Sequence, residues 1–395
     1  MSATREVVVV SAVRTAIGTF GGALKDTPPT ALGATVVREA VKRAGIDGST
    51  IGHVVFGHVV NTEPRDMYMA RVAALDGGLD QHTPALTVNR LCGSGLQAII
   101  SASQHILLGD TDVALAGGAE NMSRGPFTIP GARFGLRMGD SQVVDMMVGA
   151  LNDPFHRYHM GMTAENVAEK YSITRAMQDQ LALESHQRAA AAIAEGRFQS
   201  QIVPVVLKSR KGDTEFTIDE HVRADATLDK MRAMKPVFKK DGSVTAGNAS
   251  GINDGAAALV LMDAAAAEKQ GVKPLARLIG YAHAGVDPAL MGIGPVPATQ
   301  RVLERTGIKA DQLDVIEANE AFAAQALAVA KGLELDPAKL NVNGSGISLG
   351  HPIGATGAII TTKAIYELQR TGGRYALVTM CIGGGQGIAA IFERL

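Results

Sequence analysis

Three residues of this sequence have the types and settings for thiol chemistry. Cys92 lies in Thr87-Val-Asn-Arg-Leu-Cys92-Gly-Ser-Gly-Leu96, His351 in Gly350-His-Pro-Ile-Gly354, and Cys381 at the head of Cys381-Ile-Gly-Gly-Gly-Gln-Gly387. Pro84 to Val88 reads as a short buried strand, and Leu96, Ile99, Ile100 and Leu107 recur at helical spacing as far as Gly109. Cys92 therefore falls where a strand passes into a helix, with Gly93 and Gly95 allowing a tight turn. A helix start offers free N–H groups and a partial positive charge, and both favour a thiolate. The competing reading of Cys92 is a small buried core residue. His351 precedes Pro352, which biases it away from helix. A histidine held in such a loop can take the proton of a nearby thiol. The chain has two cysteines, both at strand ends beside glycine-rich loops. Two ordinary core residues would not be expected to share that setting.

The elements that must position these residues alternate between strand and helix. Val7–Val13, His53–Gly57, Pro84–Val88 and Asp112–Gly118 read as strands, with helices at Ala31–Ala44, Arg71–Leu75 and Leu96–Gly109. After Lys273-Pro274 the same kind of series returns: strands at Ala276–Tyr281, Asp314–Glu317, Tyr375–Met380 and through Phe392, helices at Ala298–Thr306, to Lys331 and Ala355–Arg370. An internal repeat shows through. Strand, Cys92 loop, helix and Val113-Ala-Leu-Ala-Gly-Gly118 match strand, His351 loop, helix and Tyr375-Ala-Leu-Val-Thr-Met-Cys-Ile-Gly383. Two copies of one unit facing each other would bring both loops to a shared cleft, at the carboxyl ends of the strands.

Residues 122–250 differ, with nine of the 15 methionines and four of the 10 histidines. One long helix is expected there, from Thr174 to Glu195. The segment reads as an insertion between strands of the first core domain (1–121 and 251–272), before the second core domain (273–395). Its methionines either line an adaptable slot or fill gaps.

Composition narrows the function classes. The chain has 395 residues, 46% apolar and 19% charged, with a net charge of −1. No basic footprint suggests nucleic acid, and no apolar run is long enough to cross a bilayer. A strand starts almost at once, at Glu6-Val-Val-Val-Val10, and the last residues Glu393-Arg-Leu395 are not a peroxisomal address. Two cysteines do not make a disulfide framework. The expectation is a cytoplasmic protein.

Val88-Asn-Arg-Leu-Cys-Gly-Ser-Gly95, Asn319-Glu-Ala-Phe322, Gly350-His-Pro-Ile-Gly-Ala-Thr-Gly357 and Cys381-Ile-Gly-Gly-Gly-Gln-Gly387 together resemble the thiolase family. The resemblance runs from Val7 to Arg394. It is nearest to the bacterial acetyl-CoA acetyltransferases and β-ketothiolases of polyhydroxyalkanoate synthesis. Many thiolases carry Gly-Gly-Ala where this chain has Gly344-Ser345-Gly346. The resemblance implies an α/β thiolase fold. Two duplicated βαβαβαββ core domains would form α-β-α-β-α layers, with an inserted loop domain for CoA and oligomer contacts. It implies reversible Claisen condensation of two acyl-CoA molecules to a 3-ketoacyl-CoA plus CoA, with short-chain products such as acetoacetyl-CoA and 3-ketovaleryl-CoA.

Roles follow from the same resemblance. Cys92 is similar to the nucleophile that holds the acyl group as a thioester, His351 to its activating base and Cys381 to the acid/base at the α-carbon. Asn319, through a water, would join His351 in one oxyanion hole. The backbone N–H groups of Cys92 and Gly383 would form the other, at about 3 kcal/mol per donor. Leu151, His159, Met160, Arg223, Ala246, Ser250, Ala321 and Phe322 are implied to contact CoA. Lys230 stands where the family has a small polar residue. No metal or tightly bound cofactor is implied, and a homotetramer is, through loops near 123–145. Two rival readings are a decarboxylating condensing enzyme of the same fold and a non-catalytic acyl-binding protein. The first lacks the second catalytic cysteine. The second has no use for two reactive thiols.

Overall fold

A computed structural model describes residues 5–395. The first strand, β1 (Val7–Thr15), shows why the fold is layered. It is buried along its whole length, with Val7 and Val9 facing one core and Val8 and Val10 another. Such a strand needs cover on both faces. The chain continues through α1 (Pro29–Ala44), β2 (His53–Gly57), α2 (Met69–Asp76), β3 (Ala85–Val88), α3 (Ser94–Leu108) and β4 (Val113–Asn121). A long excursion carries α4 (Met160–Lys170) and α5 (Arg175–Ala194), and the chain returns as β5 (Asn253–Asp263) and α6 (Ala264–Gln270). The second series is β6 (Ala276–Gly285), α7 (Pro295–Thr306), β7 (Val315–Ala318), α8 (Ala323–Gly332), α9 (Thr356–Thr371), β8 (Tyr375–Ile382) and β9 (Gln386–Arg394).

The strands lie in the order β7-β8-β9-β6-β1-β5-β4-β2-β3. In the sheet, among the described residues, the two halves are joined by two residue pairs, Val8 with Arg277 and Val9 with Ala276. Within each half the pattern is the same. Strands β2 and β4 pair parallel, as do β7 and β8, and each set ends in two antiparallel pairings. Where β3 lies beside β2, the second half has only a parallel bridge from Ile316 to Leu340. The repeat expected from the sequence is therefore a repeat of topology, with one strand reduced to a bridge. Because β4 and β5 are paired neighbours, the excursion between them leaves and re-enters the sheet at one place.

Helices α3 and α9 lie in the central core between the two sets of strands, while α1 and α2 cover one outer face and α7 and α8 the other. The two central helices touch at glycines. A Cβ on Gly95 would stand 2.7 Å from the Ala358 nitrogen, and one on Gly357 would stand 2.1 Å from the Leu96 nitrogen. This close approach fixes the starts of both helices side by side, and with them the loops that carry Cys92 and His351. The expected long helix of the insertion is α5, capped by the Thr174 hydroxyl. Helix α4 was not expected from the sequence. Its buried positions, Met160, Gly161, Thr163, Ala164, Glu165, Val167 and Ala168, have helical spacing but include small, polar and charged residues, so no apolar stripe marks it. Among the described residues no helix is long and apolar enough to cross a membrane.

Candidate active site

Cys92 sits in a turn that braces itself. Leu91 adopts the left-handed region at φ 44°, which costs a non-glycine residue about 1 kcal/mol. Short side chains hold it there. Asn89 Oδ1 accepts the Leu91 N–H at 2.9 Å. Ser94 Oγ accepts the Arg90 N–H at 2.8 Å and donates to the Leu91 carbonyl at 2.6 Å. Cys92 is half-buried and two residues ahead of α3. Burial pushes its thiol up to about 11. Its own N–H and that of Gly383 act the other way, and the Glu120 carboxylate adds to the rise. Desolvation thus outweighs the backbone dipoles and opposes the thiolate expected from the helix start.

The His351 loop is built differently, since its supports come from the other half of the molecule. The His351 N–H donates to Asn253 Oδ1 on β5 at 2.9 Å, and Asn253 Nδ2 donates to the Gly18 carbonyl at 3.0 Å. Three residues on, the Gly354 N–H donates to Glu120 Oε2 on β4 at 2.9 Å. The same carboxylate accepts the N–H groups of Val59 and Val60 at 3.0 and 3.1 Å. Burial raises the Glu120 pKa, while His58 and these three N–H groups lower it. Gly350, at φ 106°, leaves room for the Asn253 amide, which would lie 2.4 Å from a Cβ there. The imidazole of His351 is buried, with Nδ1 2.6 Å from Thr356 Oγ1 and Nε2 3.5 Å from Asn319 Nδ2. Burial lowers its pKa to about 4, so the ring is neutral near pH 7 and free to accept a proton.

Cys381 closes β8 and is fully buried with Met160, Met291, Ala321 and Phe322. Burial first, then the nearby Cys92 sulfur, raises its thiol well above the usual range. Asn319 is 1% exposed, and its Oδ1 has no hydrogen-bond partner. Gly346 makes the space for that oxygen, which a Cβ there would approach to 2.8 Å. The next residue of the motif, Glu320, is fixed by Ser185 on α5 and by Asn341.

Cys92, His351 and Gly383 share the wall of one cavity of about 440 Å³. Of the residues implied for CoA, Leu151, His159, Met160, Ala246, Ser250, Ala321 and Phe322 line it, while Cys381 and Asn319 stand just behind the wall. Arg223 does not line it. Its N–H donates to His186 Nδ1, two residues from His221, which does line the cavity. Lys230 is tied to Asp225, outside the lining. Sequence reasoning missed Phe238, Met291, Ile252 and Ile353 in the lining. Phe238 stacks on His159 with ring centroids 4.6 Å apart and meets Phe322 edge-on at 6.3 Å. A lone phenylalanine before two lysines carries no sign of this. Met122 and Met160 line the cavity, and Met138 is 99% exposed, so the insertion's methionines serve several purposes.

Arg14, by contrast, is a buried strut. It binds Asp219 through both terminal nitrogens at 2.7 and 2.9 Å, and the neighbouring Glu220 accepts the N–H groups of Thr19 and Ala23. These pairs hold the loop that brings Thr19 and Phe20 to the cavity mouth.

Known proteins share this arrangement along its whole length. Residues 7–265 match the family model of the thiolase N-terminal domain, and residues 272–394 that of the thiolase C-terminal domain. The chain is 70% identical to the beta-ketothiolase BktB of Cupriavidus necator, covering 99% of this chain and 100% of that protein. It is 51% identical to an acetyl-CoA acetyltransferase of Escherichia coli, over 98% of this chain and 99% of that one. The crystal structure of the Bacillus anthracis acetyl-CoA acetyltransferase superposes with a TM-score of 0.98 at 48% identity, covering 100% of both chains. That of human mitochondrial 3-ketoacyl-CoA thiolase in complex with CoA gives 0.97 at 43% identity, covering 100% of this chain and 99% of that one. Matched over both of its domains and by relatives spanning its whole length, the chain belongs to the thiolase family.

Proposed function

We propose that this thiolase is a short-chain β-ketothiolase that works through a thioester on Cys92. The observation that carries the reading is the meeting of Cys92, His351 and Gly383 on one apolar cavity wall, with Cys381 and Asn319 directly behind. His351 Nε2 takes the Cys92 proton as the sulfur attacks an acyl-CoA carbonyl. The N–H groups of Cys92 and Gly383, both of which favour negative charge at the Cys92 sulfur, receive the charge on the tetrahedral oxygen. The proton then leaves with the CoA sulfur. His351 Nε2, bare again, takes the Cys381 proton, and the Cys381 thiolate removes an α-proton from a second acetyl-CoA. The Nε2–H of His351 and Asn319 stabilise the enolate oxygen, and the carbanion attacks the Cys92 thioester. Collapse of the tetrahedral intermediate breaks the bond to the Cys92 sulfur, releases the 3-ketoacyl-CoA, and returns the Nε2 proton to the Cys92 thiolate. A thiol that burial makes reluctant to ionise is, once ionised, a strong base. That suits the weakly acidic α-carbon.

This chemistry calls on no metal or prosthetic group, and CoA takes part as substrate. The likenesses to a beta-ketothiolase and to acetyl-CoA acetyltransferases support short acyl chains. We assign CoA to the cavity mouth, beside Leu151, His159, Ala246, Ser250 and Phe322, with Arg223 at its outer rim. We divide the chain into core domains 1–121 with 251–272 and 273–395, and an inserted domain 122–250. A homotetramer fits the apolar surface. Phe134 and Met138 of the inserted segment are 90% and 99% exposed, and the edge strand β3 leaves Leu86 open.

The test is mass spectrometry after mixing with acetyl-CoA. The wild type should gain one acetyl group on Cys92, and Cys92→Ser should gain none. An equal adduct on the variant would sink the assignment.

A further inference from the structure

A histidine with one protonated nitrogen can act as a base only through the other. In His351, Nε2 faces Asn319 and Nδ1 faces Thr356, whose Oγ1 lies at 2.6 Å. The Thr356 hydroxyl has a single proton, and it donates to the Pro352 carbonyl at 2.9 Å. Bonding back to the carbonyl four residues earlier is a common habit of threonine in a helix. With its proton so placed, Oγ1 can only accept from Nδ1. The other side agrees: Asn319 turns its amide nitrogen, a donor, toward Nε2. Thr356 is 2% exposed, so water does not compete for its oxygen. It does not line the cavity and touches no reacting atom.

We propose that Thr356 is a positioning residue that holds His351 in the Nδ1–H tautomer and so leaves Nε2 bare for the Cys92 thiol. The inference rests on the reading of His351 as the base. A neutral hydroxyl in this place has a consequence that a carboxylate would not. A carboxylate at Nδ1 orients the ring and also stabilises the imidazolium. Thr356 orients the ring without that added charge, and the two ring nitrogens face an amide and a hydroxyl, with no carboxylate bonded to either among the described residues. The ring therefore takes the thiol proton and gives it up readily to the departing CoA sulfur. In that exchange Nδ1–H stays on Oγ1 throughout, and only the Nε2 proton moves.

The experiment is ¹⁵N NMR of the full-length protein labelled at histidine, without substrate at pH 7, with the His351 signals assigned by their loss in His351→Asn. The wild type should show a protonated Nδ1 and a bare Nε2. Thr356→Ser keeps the hydroxyl and should keep the tautomer and the single-turnover rate of Cys92 acetylation. Thr356→Val keeps the shape without the acceptor. It should shift the ring toward Nε2–H and slow acetylation by about 10²-fold or more, with the affinity for acetyl-CoA little changed. A wild-type ring protonated at Nε2, or a Thr356→Val protein with unaltered tautomer and rate, overturns the proposal. Should the valine variant not fold, the wild-type and serine spectra still decide. The tautomer is read without substrate. A wild type with the expected spectrum but no acetyl adduct would therefore count against the catalytic reading and not against this assignment.

Discussion

The Cys92 turn and the His351 loop occupy equivalent places in the two halves, each leading into a central helix, yet they are held in opposite ways. The Cys92 turn is braced mainly from within, by Asn89 and Ser94, over six residues of chain, with one side-chain bond to the other half, from Arg90 Nη1 to Gln386 Oε1 at 3.2 Å. The His351 loop is clamped from the other half, by Asn253 before it and Glu120 after it. In the reading proposed above, the first loop carries a nucleophile that must stay reachable, and Cys92 is half-exposed at the cavity. The second carries a base whose direction would matter more than its access, and His351 is buried. Its position is therefore tied to strands β4 and β5, which also set the position of α3. The repeated topology places two loops at one cleft, and the clamp makes the second answer to the first.

The strongest way to separate the halves is through the second cysteine. In the proposed function the first half supplies the acyl carrier and the second half handles protons. Cys381→Ala should therefore still form a thioester on Cys92, while condensation falls by about 10²–10⁴-fold or more. Exchange of the α-protons of acetyl-CoA with deuterated solvent should fall with it. NMR of that exchange, run beside an acyl-enzyme trap, reads both steps on one preparation. If exchange stays at the wild-type rate while thioester formation disappears, the two cysteines have each other's roles.

The same contrast explains what the sequence reveals. The self-braced turn is legible, because its glycines, cysteine and strand-to-helix switch lie within one short stretch. The repeat is legible for the same reason, and it led correctly to two loops at one cleft. The clamp is not legible. Asn253 and Glu120 are ordinary polar residues of two strands, separated by about a hundred residues or more from the loop they hold. The raised Cys92 thiol is also invisible in sequence, because it depends on how much protein closes around the sulfur. Phe238 reaches the cavity from irregular chain and Met291 from a single 3-10 turn (Pro288–Ile293), both too short to show periodicity, so no pattern marks them.

Removing the clamp should give the next largest effect. Asn253→Ala leaves the His351 N–H and the Gly18 carbonyl without partners in a site that is fully buried. Losing such bonds destabilises by about 1–3 kcal/mol. The base is also freed to drift, and a misplacement of about 1 Å can cost about 10²-fold in rate. The expected result is a single-turnover acetylation rate lower by about 10–100-fold, with a lower melting temperature. A variant that melts earlier but acetylates Cys92 at the wild-type rate would mean that Asn253 serves stability alone.

The smallest effect should come from loosening the self-braced turn. Asn89 is exposed, and its side chain contributes one bond, Oδ1 to the Leu91 N–H. A bond of this kind is worth about 1 kcal/mol where water can take its place. The turn keeps both Ser94 bonds in Asn89→Ala, and the start of α3 remains pinned by the contact of Gly95 with Gly357 and Ala358. The left-handed Leu91 then loses only part of its support. The rate of Cys92 acetylation should change by about threefold or less, and the melting temperature by a degree or two. Size-exclusion chromatography on the same sample separates a local effect from one on association, since Asn89 follows an edge strand. The contrast between the loops depends on the ranking of the two variants. If Asn89→Ala slows acetylation as much as Asn253→Ala while both remain equally associated, the Cys92 turn is not braced redundantly, and both loops are held by single irreplaceable bonds.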